Sequence, residues 1–191
     1  MQKTFVFAAS LVFVFMAAAA QAQVKPPAPA FEPYPGQPGK DVVWVPTPEV
    51  LVEKMLDMAK VTPRDFVIDL GSGDGRNIIA AAKRGARGLG VEWEEDMVKL
   101  SRANAEKAGV ADKAKFVQGD MFEADISKAT VLALFLLPDN LRRLLPKFEK
   151  LPKGTRIVTN GFPIDAWQPV EVGKSDGDCG SWCTAYLYIV K

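Results

Sequence analysis

A chain of 191 residues, 48% of them apolar, is long enough to bury one compact core and is not compositionally disordered. Its 24 basic and 23 acidic side chains leave a formal charge of +1, which argues against a nucleic-acid partner held by its phosphates. The chain has no histidine, so the commonest metal ligand and general base is missing.

The first segment reads as an export signal. Lys3 supplies a small basic region, residues 5–20 form a nearly apolar run, and Ala20-Gln21-Ala22 offers a cleavage site before Gln23. The run is short for a membrane span of about 20 residues. A signal peptide over residues 1–22 is therefore expected, with an uncleaved membrane anchor as the alternative. The domain would then be exported, in the periplasm, or held at a membrane. Residues 23–46 form a Pro-rich linker, whose prolines favour an extended chain outside any helix or sheet.

The folded domain is expected over residues 47–191. Thr47-Pro48-Glu49 has the order of a helix start, with Thr47 as N-cap and proline after it. Val50, Leu51, Met55, Met58 and Ala59 then recur at near-helical spacing, giving a helix to about residue 60. Phe66-Val67-Ile68-Asp69-Leu70 is a short apolar run suited to a buried strand. A glycine-rich turn over residues 71–75 leads into a helix over 77–83. Strands follow at 88–92, 115–118, 130–136, 156–159 and 185–190, with helices at 94–108 and 138–150. Strands alternating with helices predict a doubly wound, mostly parallel α/β sheet. The last strand has no helix before it and is expected to run antiparallel.

The strongest local signal is Asp69-Leu70-Gly71-Ser72-Gly73-Asp74-Gly75, between a strand and a helix. Glycines there allow a tight turn and close approach of a ligand, and the helix N-terminus offers free N–H groups to an anion. Glu92, at the end of the next strand, is placed to accept hydrogen bonds from both hydroxyls of a ribose. The spacing Gly71-x-Gly73-x-Gly75 differs from the dinucleotide G-x-G-x-x-G, and Arg76 stands where a third dinucleotide glycine would be. Asp120 ends the third strand, where its carboxylate could accept from an adenine amino group while Met121 or Phe122 packs on the ring.

Through these motifs, residues 65–121 resemble the nucleotide half of class I methyltransferases that use S-adenosylmethionine (SAM). The flanks are similar to one branch, the mitochondrial protein-lysine methyltransferases acting on the adenine nucleotide translocase and the ATP synthase c subunit, with their bacterial relatives. Trp44-Val45-Pro46-Thr47-Pro48, Leu136-Leu137-Pro138 and Gly161-Phe162-Pro163-Ile164-Asp165-Ala166-Trp167-Gln168-Pro169 carry that likeness. The resemblance implies a Rossmann-like seven-stranded sheet with an antiparallel C-terminal strand. It also implies a SAM site at Asp69, Gly71, Ser72, Gly73, Gly75, Glu92, Trp93, Asp120 and Met121. Thr47, Leu136, Leu137, Phe162 and Trp167 are candidates for a substrate channel, and no residue is assigned a catalytic role. Leu134-Phe135-Leu136-Leu137-Pro138 lacks the tyrosine that relatives often place there.

The implied reaction is methyl transfer to a protein lysine, on a substrate that could be membrane-associated. A small-molecule N- or O-methyltransferase and a SAM-binding module without turnover are the alternatives. DNA amino-methylation usually goes with an Asp/Asn-Pro-Pro-aromatic motif, which Leu136-Leu137-Pro138-Asp139 does not supply. No metal is expected, because further acids near the fourth strand are missing. Cys179 and Cys183 are the only cysteines. An oxidising compartment would favour a local disulfide between them, with two thiols as the alternative.

Overall fold

The computed structural model describes residues 31–175 and 183–191. The proposed signal over residues 1–22 and Cys179 lie outside the described residues. Eleven elements follow in chain order: α1 (Glu49–Met58), β1 (Phe66–Leu70), α2 (Arg76–Lys83), β2 (Arg87–Glu92), α3 (Glu95–Lys107), β3 (Ala114–Gln118), β4 (Val131–Leu134), α4 (Pro138–Phe148), β5 (Arg156–Asn160), β6 (Glu171–Lys174) and β7 (Thr184–Ile189).

The strands form one seven-stranded sheet in the order β3-β2-β1-β4-β5-β7-β6. β3, β2, β1, β4 and β5 are parallel, whereas β7 runs antiparallel to β5 and to β6. The expected doubly wound, mostly parallel architecture is thus present. Alternation along the strands divides the core in two. Val67, Val131, Ala133 and Val158 face the helices α1, α2 and α3. Their neighbours Ile68, Leu132, Leu134 and Ile157 face α4 through Leu141, Leu144 and Phe148. Both faces are buried, which is why the central strands read as continuous apolar runs rather than alternating ones.

Three local features depart from the sequence reading. The first helix begins at Glu49 with Pro48 at its N-cap, and no side chain caps it. Thr47 instead turns inward, where its hydroxyl accepts a hydrogen bond from Asn160 Nδ2 at 3.3 Å. Val50, placed by periodicity on the apolar face, is exposed, and Leu51, Val52, Met55, Leu56 and Met58 carry the burial. The strand β6 was not foreseen from its residues. It has four residues with charged ends, only Gly173 buried, and β7 as its one neighbour.

Residues 31–46, expected as an extended linker, contain neither helix nor strand but belong to the same compact unit as the domain. Two backbone hydrogen bonds close a loop within them: Gly36 donates to the Trp44 carbonyl at 2.8 Å, and Trp44 donates to that of Gln37 at 2.9 Å. This strap, residues 36–45, lies against the carboxyl ends of the strands. Proline-rich composition excluded regular structure but did not exclude packing.

Candidate cofactor and acceptor site

The site grows from the crossover between β1 and α2. After Leu70 the chain turns so tightly that Gly71 and Ser72 both donate to the Val91 carbonyl on β2, at 2.8 and 3.1 Å. Gly73 and Gly75 have φ of +53° and +86°, which residues with a Cβ rarely adopt. Space forbids a side chain there as well: a Cβ on Gly75 would lie 2.6 Å from the Phe116 ring, and one on Gly73 2.5 Å from Trp44 Nε1. The loop is therefore shaped by packing from below and covered by Trp44 of the strap from above.

Glu92, at the end of β2, clamps this loop. One carboxylate oxygen accepts from the Gly73 N–H at 2.8 Å and the other from the Glu94 N–H at 3.0 Å. Each oxygen keeps a lone pair, so the carboxylate is oriented while still able to accept from a ligand hydroxyl. Asp74 and Arg76 pair at 2.5 Å, and Arg76 also donates to the Thr47 carbonyl at 2.6 Å, tying the helix start to the strap's end.

Asp69 lies beneath the loop, buried. Burial pushes its carboxyl well above the ordinary value of 3.8; the hydrogen bond from Asn77 opposes this, and the charges of Glu92 and Asp74 add to it. Asn77 Nδ2 donates to Asp69 at 3.0 Å, but Asn77 Oδ1 finds no partner. A cation arriving nearby would relieve that arrangement by favouring the ionised carboxylate.

These elements surround a cavity of about 260 Å³. Of the expected site residues, Gly71, Glu92, Trp93, Asp120, Met121, Leu136, Leu137 and Phe162 line it. Asp69, Ser72, Gly73 and Gly75 do not; they build the loop behind its wall. Thr47 and Trp167 are also outside the lining, contrary to their assignment to a channel. Thr47 is taken up by Asn160 and Arg76. Trp167 packs on the core with its ring 6.3 Å from that of Tyr188, edge to face. Tyr188 hydroxyl in turn accepts from the Ile164 N–H at 2.9 Å, so this pair anchors the segment that brings Phe162 to the cavity.

The strap supplies a wall that the sequence did not point to. Residues 37–45 line the cavity opposite the glycine loop. Lys40 donates to Asp120 Oδ2 at 2.6 Å and sits 4.0 Å from the centroid of the Trp93 ring. Asp120 Oδ1 accepts from the Phe122 N–H at 2.8 Å. Lys40 chiefly, then the Phe122 N–H, holds the Asp120 carboxyl below its ordinary value. The run Val42-Val43-Trp44-Val45 after so many prolines is the one sequence signal that this stretch would pack. At the far end of the cavity Phe135, Leu136, Leu137 and Phe162 form an apolar wall next to Gly71. Cys183 is buried and is not a free thiol.

Comparison with known proteins agrees with this architecture. The family model described as the ANTKMT methyltransferase domain matches residues 69–171. A protein-lysine N-methyltransferase of Saccharolobus islandicus is 47% identical over 153 residues, covering 78% of this chain and 94% of that protein. The mouse adenine nucleotide translocase lysine N-methyltransferase is 36% identical over 123 residues, and the match spans 53% of it, about half its length. Among solved structures, an RNA methyltransferase from Salinibacter ruber in complex with S-adenosyl-L-homocysteine superposes with a TM-score of 0.71 at 47% identity. That match covers 76% of this chain and 94% of the other.

Proposed function

Since the chain belongs to the ANTKMT methyltransferase domain family and is a SAM-dependent methyltransferase, we propose that its acceptor is the side-chain amine of a protein lysine. The cavity fits the cofactor. Gly71 leaves a cradle in which an added Cβ would meet Leu136 Cδ2 at 3.5 Å and Met121 Cε at 4.0 Å. Glu92 and Asp120 add two carboxylates to the same lining, suited to ribose hydroxyls and an exocyclic amine. Asp69, behind the glycine loop, is placed to favour a bound cation.

SAM supplies a methyl group already activated for displacement from a sulfonium. The chain's task is to orient the partners and exclude water, worth at most about 7–11 kcal/mol of the barrier. The observation carrying the lysine reading is the apolar wall of Phe135, Leu136, Leu137 and Phe162, which contains no titratable group. A lysine ammonium entering such surroundings loses hydration, its pKa falls, and the proton leaves to solvent before attack. No protein base is then required, in keeping with a chain that has no histidine. The relative from Saccharolobus islandicus, named a protein-lysine N-methyltransferase, supports the same acceptor.

An RNA acceptor is the second reading, favoured by the name of the Salinibacter ruber relative. Against it, the arginines of α4 beside the cavity are engaged by carboxylates: Arg143 with Asp41, and Arg142 with Asp139 and Asp165. Paired cations are a poor footprint for a phosphate backbone. Incubating the chain with methyl-labelled SAM and a cell lysate separates the two. Label released by protease and recovered as methyl-lysine supports the proposal. Label that resists protease and is released by ribonuclease, or that sits on a small molecule, refutes it. Export through residues 1–22 is proposed alongside, with an uncleaved anchor as the alternative; a mature N-terminus at Gln23 in a fractionated cell is the expected finding.

A further inference from the structure

The strap does more than cover the cavity. Its two ends are tied by the Gly36–Trp44 and Trp44–Gln37 hydrogen bonds, and its tip is tight enough that a Cβ on Gly39 would lie 2.4 Å from the Val42 carbonyl oxygen. That tip delivers Lys40 between the face of Trp93 and the carboxylate of Asp120, two residues that line the cofactor cavity. Asp120 has one oxygen on the Phe122 N–H and the other on Lys40. An ammonium and a purine ask for the same things here: an aromatic face to rest on and a carboxylate oxygen to receive an N–H.

We propose that Lys40 is a latch on the adenine end of the cofactor site, displaced from Trp93 and Asp120 when the adenosyl group seats. Cofactor binding and lifting of the strap tip are then one linked event. Breaking the latch opposes binding, and its re-formation assists departure of the demethylated product. Trp44, at the other end of the strap, stays packed on Gly73, so the strap hinges at its tip and is not released as a whole. The proposal concerns the cofactor alone and holds whichever acceptor is methylated.

Calorimetric titration of the full chain with S-adenosyl-L-homocysteine, needing no acceptor, tests this in wild type and Lys40→Met. Methionine keeps the apolar stem and removes the charge. Exposed ion pairs and cation–π contacts each contribute modestly, so Lys40→Met is expected to bind about 3- to 10-fold tighter. Raising salt should tighten the wild type towards the variant and leave the variant unchanged. Hydrogen exchange of residues 38–42 should rise on adding ligand to the wild type, and Lys40→Arg should restore wild-type affinity. Weaker binding by Lys40→Met would make Lys40 a ligand of the cofactor and overturn the latch. Equal affinity, with strap exchange indifferent to ligand, would reduce it to a surface ion pair and overturn it too.

Discussion

The two ends of β1 carry an aspartate each, and the two are treated in opposite ways. Asp65, just before the strand, accepts from the Thr62 N–H at 2.7 Å, the Thr62 hydroxyl at 2.9 Å and the Thr130 hydroxyl at 2.8 Å, and also from Arg156. Burial alone would raise its carboxyl, but those four donors outweigh it and hold the group below its ordinary value. Asp69, four residues on, has the Asn77 amide as its hydrogen-bond donor and is pushed upward. The same contrast extends across the sheet. Among the described residues, the buried side-chain atoms without partners are Ser72 Oγ, Asn77 Oδ1, Asn140 Nδ2 and Asn160 Oδ1. Each belongs to the carboxyl end of a strand or to the loop or helix start that follows it. The amino edge is satisfied and holds the fold, while the unmet polarity collects at the carboxyl edge, in residues that stand outside the lining of the cavity.

Removing Asp65 breaks the satisfied end and should have the largest effect on folding. Asp65→Ala leaves Arg156 without its carboxylate and the Thr62 hydroxyl without its acceptor, and leaves the Thr130 hydroxyl only the longer bond to the Phe66 carbonyl at 3.3 Å. A loss of about 3–5 kcal/mol in denaturant unfolding is expected, with cofactor affinity unchanged in whatever fraction stays folded. Because the folded Asp65 carboxyl is depressed, its contribution is present above the unfolded value near 3.8. It should fade as pH falls through the lower folded value. That acid limb should be missing from the variant's stability profile.

At the opposite end, Gly75→Ala probes the shape of the loop instead of its charge. A left-handed backbone and a collision with Phe116 together make a loss of about 2–4 kcal/mol the expected result. Weaker cofactor binding should accompany it, because the loop must shift. A stable variant with unchanged affinity would show that the loop geometry is incidental.

Asp69→Asn sharpens the contrast most, since its two effects have opposite signs. The wild-type carboxyl is raised by folding, so it penalises stability as pH climbs from 3.8 through the higher folded value, and the penalty persists above. The amide removes that penalty, and a gain on the order of 1 kcal/mol at neutral pH is expected. Cofactor affinity should fall roughly tenfold, because a buried counter-charge is lost. Urea melts and titration of one preparation measure both.

The sequence revealed the carboxyl edge better than what covers it. Strand, glycine loop and helix are contiguous, Glu92 ends a strand, and Asp120 follows one by two residues, so short-range pattern placed them. Lys40 meets Asp120 across 80 residues, and no local pattern encodes such a contact. Proline content marked the strap as irregular and so disguised a wall of the site as a linker. Thr47 matched the N-cap rule, yet Asn160 took its hydroxyl; tertiary partners overrode local preference. Trp167 belonged to the right segment but anchors it from the core, and Phe162 is the residue it brings to the cavity. The strand β6 escaped notice because four residues with one buried position carry no periodic signal.

The placement of the cofactor at the carboxyl edge is tested most directly through Glu92, whose carboxylate both clamps the glycine loop and faces the cavity. In calorimetry with S-adenosyl-L-homocysteine, Glu92→Ala that melts as one cooperative unit should bind roughly 10- to 100-fold more weakly than wild type, the loss of charged hydrogen bonds. Equal affinity in the two folded proteins would contradict that placement.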